Sequence, residues 1–240
     1  MRPKIRLFVD QPLGAEQSVQ LSRDHAHYLF GVMRQSVGVE VALFNGIDGE
    51  WRAVVDEAGK RGGSLRCVAQ SKTQDVVPDL WLLFAPIKKA RTDFIVEKAA
   101  EMGVRRILPV QTEFTNAERI RQDRLQAHAV EAAEQCGNTV VAEVAPLRRL
   151  DEVLRDWDPS RQIVFCDEAE AGGSSALTGG LATCGAVLIG PEGGFSDGER
   201  ARLKALDHVT TISLGPRILR ADTAAVAALT LWQHGVGDWR

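Results

Sequence analysis

The chain has 240 residues, 45% of them hydrophobic and 25% charged, with a formal net charge of −3, which suits one or two packed domains and excludes disorder. The charge excludes a global attraction to nucleic acid, though not a local basic patch. No apolar run approaches the roughly 20 residues of a membrane helix and the start MRPKIRLFVD has no signal-peptide core, so a soluble, cytoplasmic protein with no membrane partner is expected.

The first 70 or so residues predict short strands at Ile5–Val9, Val39–Phe44, Glu50–Val55 and Leu65–Ala69. Asn45-Gly46 and Asp48-Gly49 supply the positive φ angles of a tight turn between two of them. One helix interrupts, His25 to Arg34, with Ser22 as N-cap. Short strands with one helix predict a small barrel. Residues 1–72 carry 10 Lys+Arg against 8 Asp+Glu, whereas the remainder carries 19 against 24. The polar segment Gln70–Asp79 is the linker candidate.

Beyond it strands and helices alternate. Strands are expected at Trp81–Ala85, Ile107–Gln111, Val140–Val144, Ile163–Cys166, Ala186–Ile189 and Val209–Ser213. Helices are expected at Asp93–Met102, stopped by Gly103, at Arg121–Cys136, stopped by Gly137, and at Ala221–His234. Ser196 and Glu199 form a capping-box pattern for one more. The alternation predicts an α/β domain with a mostly parallel sheet. Ala171–Gly180 is a small-residue stretch expected to be a loop.

Two stretches leave a strand and open a helix, and so fall at the ligand-binding end of such a sheet. The first is Leu188-Ile189-Gly190-Pro191-Glu192-Gly193-Gly194-Phe195-Ser196. It lacks the Gly-Lys-Ser/Thr ending of a phosphate loop and the G-x-G-x-x-G dinucleotide fingerprint. Glu192 would repel a phosphate, so a neutral or cationic ligand suits it better; a glycine-rich turn without a ligand is the bland alternative. The second is Ser213-Leu214-Gly215-Pro216-Arg217-Ile218-Leu219-Arg220-Ala221-Asp222-Thr223-Ala224. It sets two arginines beside one acid; the plain reading is a loop whose Asp222 or Thr223 caps the last helix. Two such loops on one sheet favour a shared pocket.

Together the two loops resemble the bacterial RsmE family of SPOUT methyltransferases, and the resemblance runs the length of the chain. His27-Tyr28-Leu29 through Met33-Arg34 resembles the family's N-terminal helix. Lys98 with Glu101-Met102-Gly103-Val104 resembles its first long catalytic-domain helix, and Glu131-Ala132 with Gln135-Cys136 its second. The chain departs from the family where Asn138 replaces a usual arginine, which puts one RNA contact in doubt. It departs again where Asp222-Thr223-Ala224 replaces Glu-Thr-Ala, which keeps the charge on a shorter arm.

The resemblance implies a PUA-like RNA-binding β-barrel over residues 1–72 and a SPOUT catalytic domain with a trefoil-knotted carboxyl end over 73–240. It implies transfer of a methyl group from S-adenosylmethionine to N3 of a uridine in 16S ribosomal RNA, within the assembled small subunit, by a homodimer. The cofactor pocket it implies is made by Leu188, Ile189, Gly190, Gly193, Gly194, Ser213, Leu214, Gly215, Ile218, Leu219 and Thr223. The leaving group needs no proton, so positioning is the main task. The weakly acidic N3 proton must still be lost, to a base such as Asp222 or Glu192, or with Arg220 and Arg217 stabilising the uracil anion; the residues alone do not rank these. Arg220 is expected to be oriented by Asp222. Arg6, Arg34, Lys88 and Arg91 are the expected RNA contacts. A ribose 2′-O-methyltransferase of the same superfamily, or a non-catalytic RNA-binding module, are the alternatives.

Other residues carry less. Cys67, Cys136, Cys166 and Cys184 form no C-x-x-C pair and are expected to be reduced, mostly buried thiols with no metal. His25 and His27 point to different faces, and His128, His208 and His234 have no ligand-like partners in sequence. Asp93, Glu97 and Glu101 share a helix face as solvated ion-pair partners or as acids that orient arginines around the substrate.

Overall fold

The computed structural model describes residues 3–117, 119–171 and 183–239. It divides into two compact units: the chain up to Val76 together with Ala133–Val140, and Val77–Ala132 together with the chain from Val141 onward.

In the first unit, β1 (Arg6–Phe8), β2 (Ser18–Gln20), β3 (Glu40–Phe44), β4 (Glu50–Gly59) and β5 (Gly62–Lys72) form one sheet in the order β1-β3-β4-β5-β2. Only the β1–β3 pair is parallel. β2 has no strand-like apolar alternation beyond Val19 and escapes a sequence reading. β4 outruns its expected length because its turn-proximal residues are exposed, and β5 because Gly62–Ser64 and Gln70–Lys72 at its two ends hold no apolar residue for the period to mark. β5 therefore absorbs the start of the expected linker, which shrinks to residues 73–78. Gly46 and Gly49 have φ of 83° and 76°, as the turn requires.

Ser22 caps the helix as expected, its side chain accepting from the His25 N–H at 3.1 Å. Only α1 (Arg23–Ala26) is α-helical; His27–Val32 widens into a π-helical turn, with Met33 N donating to Tyr28 O at 2.8 Å. Apolar spacing does not separate these two windings over one turn.

The second unit holds β6 (Asp79–Phe84), α2 (Lys89–Glu101), β7 (Arg106–Gln111), β8 (Glu143–Val144), β9 (Arg148–Arg149), α4 (Leu150–Arg155), β10 (Gln162–Cys166), β11 (Cys184–Ile189), α5 (Asp197–Lys204), β12 (Val209–Ile212) and α6 (Ala221–Gly235). Helix α3 (Gln122–Cys136) belongs to it up to Ala132. The strands run β12-β10-β11-β6-β7-β8, with β9 beside β7, and every pair is parallel. Gly103 and Gly137 follow their helices with φ of 75° and 86°, and the capping box at Ser196 and Glu199 is complete. β9 and α4, two and six residues long, are too short to show a period and were not expected.

Both faces of the sheet are covered, which is why its strands are near-continuous apolar runs. Side chains alternate along each strand. Leu82, Phe84, Val187 and Ile189 pack with Ile95, Leu229 and Trp232 on one face. Leu83, Ala186 and Leu188 pack with Phe165, Phe195 and Leu203 on the other. From β12 at the sheet edge, α6 returns to pack on β11 and α2, the crossing a knotted carboxyl end needs.

Candidate active site

A pocket opens at the carboxyl ends of the strands. It is walled by Ile189 at the end of β11 and Gly190–Glu192 beyond it, by Leu214, Gly215 and Arg217–Leu219 after β12, and by Ala221 and Ala224 of α6. The floor comes from Cys166 at the end of β10 and from Asp167, Glu168 and Ala171 beyond it. The two loops singled out in the sequence therefore share one pocket, and of the residues expected at the cofactor Ile189, Gly190, Leu214, Gly215, Ile218 and Leu219 line it.

Leu188, Gly193, Gly194, Ser213 and Thr223 do not line it. Leu188 points to the opposite face of the sheet by strand parity. Ser213 is buried, its Oγ accepting from Gly215 N at 3.3 Å and donating to Gly215 O at 3.2 Å. Thr223 is exposed, beside Asp222.

The first loop's glycines answer to protein groups rather than to a ligand. A Cβ on Gly190 would lie 2.5 Å from the Phe195 ring, and one on Gly193 3.2 Å from Phe114. Gly194 has φ of 70° and makes way for the Glu168 carboxylate. Gly215, with φ of 111°, is different: nothing lies within 4 Å of its missing Cβ.

The charged residues separate into paired and unpaired. Arg91, in the first turn of α2, joins Glu192 at 2.7 Å and Asp222 at 3.6 Å. It is thus a bridge between both candidate bases rather than a free RNA contact. Asp222 accepts from Thr223 N at 2.8 Å and does not reach Arg220. Neither Asp222 nor Thr223 caps α6, whose N-cap is Arg220 with no side-chain hydrogen bond. Among the described residues Arg217, Arg220 and Lys88 have no side-chain hydrogen bond or ion pair, and all three are exposed. An uncapped helix start with free cations beside it is suited to an anionic group.

Arg6 is not placed for RNA. Its side chain is 7% exposed, pairs with Glu50 at 2.6 Å, and donates to the carbonyls of Ala133, Glu134 and Asn138 at 2.5, 2.8 and 3.1 Å. A cation there satisfies the orphan carbonyls at the end of α3. Asn138, which stands where the resembled family has arginine, supplies one of those carbonyls. Arg34 is exposed, with φ of 52°, an uncommon conformation for a side-chain-bearing residue.

The residues missed in sequence are those after β10, where no glycine marks the turn. The Asp167 side chain is fully buried and receives Arg200 Nε at 3.1 Å. Arg200 also pairs with Glu168. Burial pushes the Cys166 thiol up, so it offers the pocket a neutral wall. Away from the pocket, Asp93 pairs with Arg124, Glu97 faces His128 Nδ1 at 3.1 Å and Glu101 pairs with Lys98 at 2.6 Å. His128 therefore does have acidic neighbours, and the acids of α2 serve α3 and their own helix. Cys136 is exposed, against expectation.

Comparison with known proteins agrees with this architecture. A family model described as an RNA methyltransferase domain matches residues 74–233, and one described as an RNA methyltransferase PUA domain matches residues 21–66. The ribosomal RNA small subunit methyltransferase E of Rickettsia conorii is 28% identical over 93% of each chain. The solved methyltransferase E of Neisseria gonorrhoeae, bound to S-adenosyl methionine, shares the fold at a TM-score of 0.88 and 24% identity, over 98% of this chain and 99% of its own. A Legionella pneumophila protein in complex with bound SAM aligns at a TM-score of 0.85 and 26% identity, over 99% and 100%.

Proposed function

The chain belongs to the RNA methyltransferase family, and from that premise we propose that it methylates N3 of a uridine in 16S ribosomal RNA with S-adenosylmethionine. The observation that carries this reading is the single pocket shared by the β11 and β12 loops, in a chain similar over 93% of its length to a small-subunit methyltransferase E.

The pocket fits the cofactor in kind. Ile189, Leu214 and Leu219 offer apolar walls to an adenine ring, and the first loop and the α6 start leave Gly215 with nothing within 4 Å of its missing Cβ. When bound, S-adenosylmethionine supplies an electrophilic methyl group. The chain's own residues then hold the uridine so that N3 faces that methyl in line. Arg220 and Arg217, exposed and unpaired, take the charge that develops on uracil or a flanking phosphate. Glu192 and Asp222 are the proposed acceptors of the N3 proton, and Arg91 pairs with both.

Residues 1–72 act as the PUA-like RNA-binding domain and 73–240 as the catalytic domain in this proposal, with Arg34 and Lys88 as RNA contacts. A base inside folded RNA must also be extruded to reach the pocket. The assembled small subunit is the proposed substrate and the cytoplasm the place of action; no helix among the described residues is long and apolar enough to cross a membrane. A homodimer is proposed through α6, where Leu229 and Trp232 are consumed by the unit's own core and Leu231 remains 37% exposed.

Nucleoside mass spectrometry of 16S rRNA from cells lacking the protein tests the reading. Loss of one 3-methyluridine, restored by the purified protein and S-adenosylmethionine on small subunits, is expected. Loss of a 2′-O-methyl nucleoside instead would assign it to ribose methylation. A monomeric mass in light scattering at micromolar concentration would remove the dimer.

A further inference from the structure

The turn after β7 leaves the sheet at the same end as the first glycine loop, because β11, β6 and β7 are parallel. It is a fixed turn. Thr112 and Thr115 are buried, Thr115 N donates to Thr112 O at 3.2 Å, and Thr112 N donates to Thr115 Oγ1 at 2.9 Å. Two contacts tie it to the first glycine loop. Glu199, the acid of the capping box, accepts from Ser196 N with one carboxylate oxygen at 3.0 Å and from Glu113 N with the other at 2.9 Å. Gly193 lies against Phe114, so that a Cβ on it would stand 3.2 Å from the Phe114 Cβ. Phe114 is nevertheless 44% exposed. A lone exposed apolar residue marks nothing by itself. This one is set on a hydrogen-bonded turn against Gly193, the residue next to the pocket wall at Glu192.

We propose that Phe114 is a substrate contact whose ring stacks on the RNA base next to the target uridine. This rests on the methyltransferase reading and adds a residue to it. Extruding the target base costs it the stack on its neighbours, and an aromatic face beside the pocket replaces part of that stack for the base left behind. The place suits a base better than a phosphate. The ring is uncharged, and Glu113 next to it is exposed and acidic. On the other side Glu192 is held by Arg91 at 2.7 Å. Stacking on an aromatic ring needs no hydrogen-bond partner and tolerates any base, so the contact positions the strand without reading its sequence. Phe114 stands outside the residues that line the pocket, so the contact serves the RNA rather than the cofactor.

Methyl transfer by the full chain to small ribosomal subunits at saturating S-adenosylmethionine tests this, with calorimetry for the cofactor alone. Phe114→Ala should raise KM for the subunits about ten- to a hundredfold, the usual loss for one base–aromatic stack. Its kcat, cofactor affinity and melting temperature should stay close to native. Phe114→Leu keeps an apolar side chain without a ring and should remain impaired, whereas Phe114→Tyr should restore KM. An unchanged KM in Phe114→Ala would overturn the proposal, and so would full rescue by leucine. A fall in cofactor affinity that matches the rise in KM would overturn it too, by making Phe114 a prop for Gly193. A native protein that transfers no methyl group to small subunits would overturn the methyltransferase reading beneath it, whereas native activity in Phe114→Ala removes the stack alone.

Discussion

The two ends of the parallel sheet are built from the same residue types and use them in opposite ways. At the amino ends, Arg161 is 8% exposed and donates to Asp79 O, Asp79 Oδ2 and Gly185 O at 2.8, 2.5 and 3.3 Å. Its guanidinium lies 3.9 Å from the Trp81 ring, with Trp157 edge-on to that ring at 5.7 Å. Trp157 Nε1 in turn donates to Arg161 O at 2.8 Å. At the carboxyl ends, Arg217, Arg220 and Lys88 have no side-chain partner among the described residues, and α6 starts without a side-chain cap. Polar groups that satisfy one another close a structure, whereas groups left over are available to a ligand.

The sharpest way to break that contrast is to change one arginine at each end. Arg220→Lys keeps the charge and loses the planar fork. Turnover should fall roughly a hundred- to a thousandfold, the usual loss for one anion-stabilising donor, with cofactor affinity and melting temperature nearly unchanged. Methyl transfer to small subunits and a thermal melt on the same variant decide it. Near-normal turnover would end the substrate role of Arg220, and a fall in both would make it structural.

Arg161→Ala should do the reverse. Losing a buried guanidinium and its hydrogen bonds to the partly exposed Asp79 costs about 2 kcal/mol, roughly 4–8 °C in melting temperature for a chain of this size. Below the transition, calorimetry should find native cofactor affinity. An unshifted melt would show that the amino-end cluster does not hold the sheet.

A smaller effect separates the two loops at the carboxyl end. Valine at Gly194 or at Gly215 is strained by the positive φ, by about 1–3 kcal/mol. Only at Gly194 does the new side chain also meet Glu168. Gly194→Val should therefore weaken cofactor binding about tenfold or more through displaced neighbours, while Gly215→Val acts mainly through loop conformation. Undiminished affinity in both would remove these loops from the site.

The smallest effect is in acid. Burial raises the Asp79 carboxyl, but hydrogen bonds from Arg161, Cys184 and Trp81 outweigh it and hold the group below its ordinary 3.8. The stability this contributes is present above pH 3.8 and is lost as pH falls through the depressed folded value. His25, in the first unit, is held below 6.5 by burial, against the pull of Asp24 and Asp10. Its contribution begins to fall away as pH drops below 6.5. Melts between pH 7 and 4 should lose stability through His25, and His25→Gln should flatten that slope. An unchanged slope would assign it to other groups.

Much of this protein was legible in one dimension. Periodicity located nearly all the long elements, because their faces are half-buried or fully buried in a regular way. Ser22, Ser196, Gly103 and Gly137 marked ends because caps and left-handed stops are local chemistry. The RsmE-like loops were readable for the same reason: each is a contiguous run whose spacing survives without the fold. Where the period was short or absent, at β2, β9 and α4, the elements were missed.

What only the tertiary structure decided is which groups meet. Strand order put β10 between the two loops and so brought Asp167 to the floor of the pocket. Strand parity turned Leu188 away from the pocket and Ile189 toward it. Arg6 found carbonyls more than 120 positions along the chain, and Arg91 a carboxylate 101 positions away. A side chain's charge is set by its own residue, but its partner is set by how distant strands and helices pack, and local spacing carries no record of that.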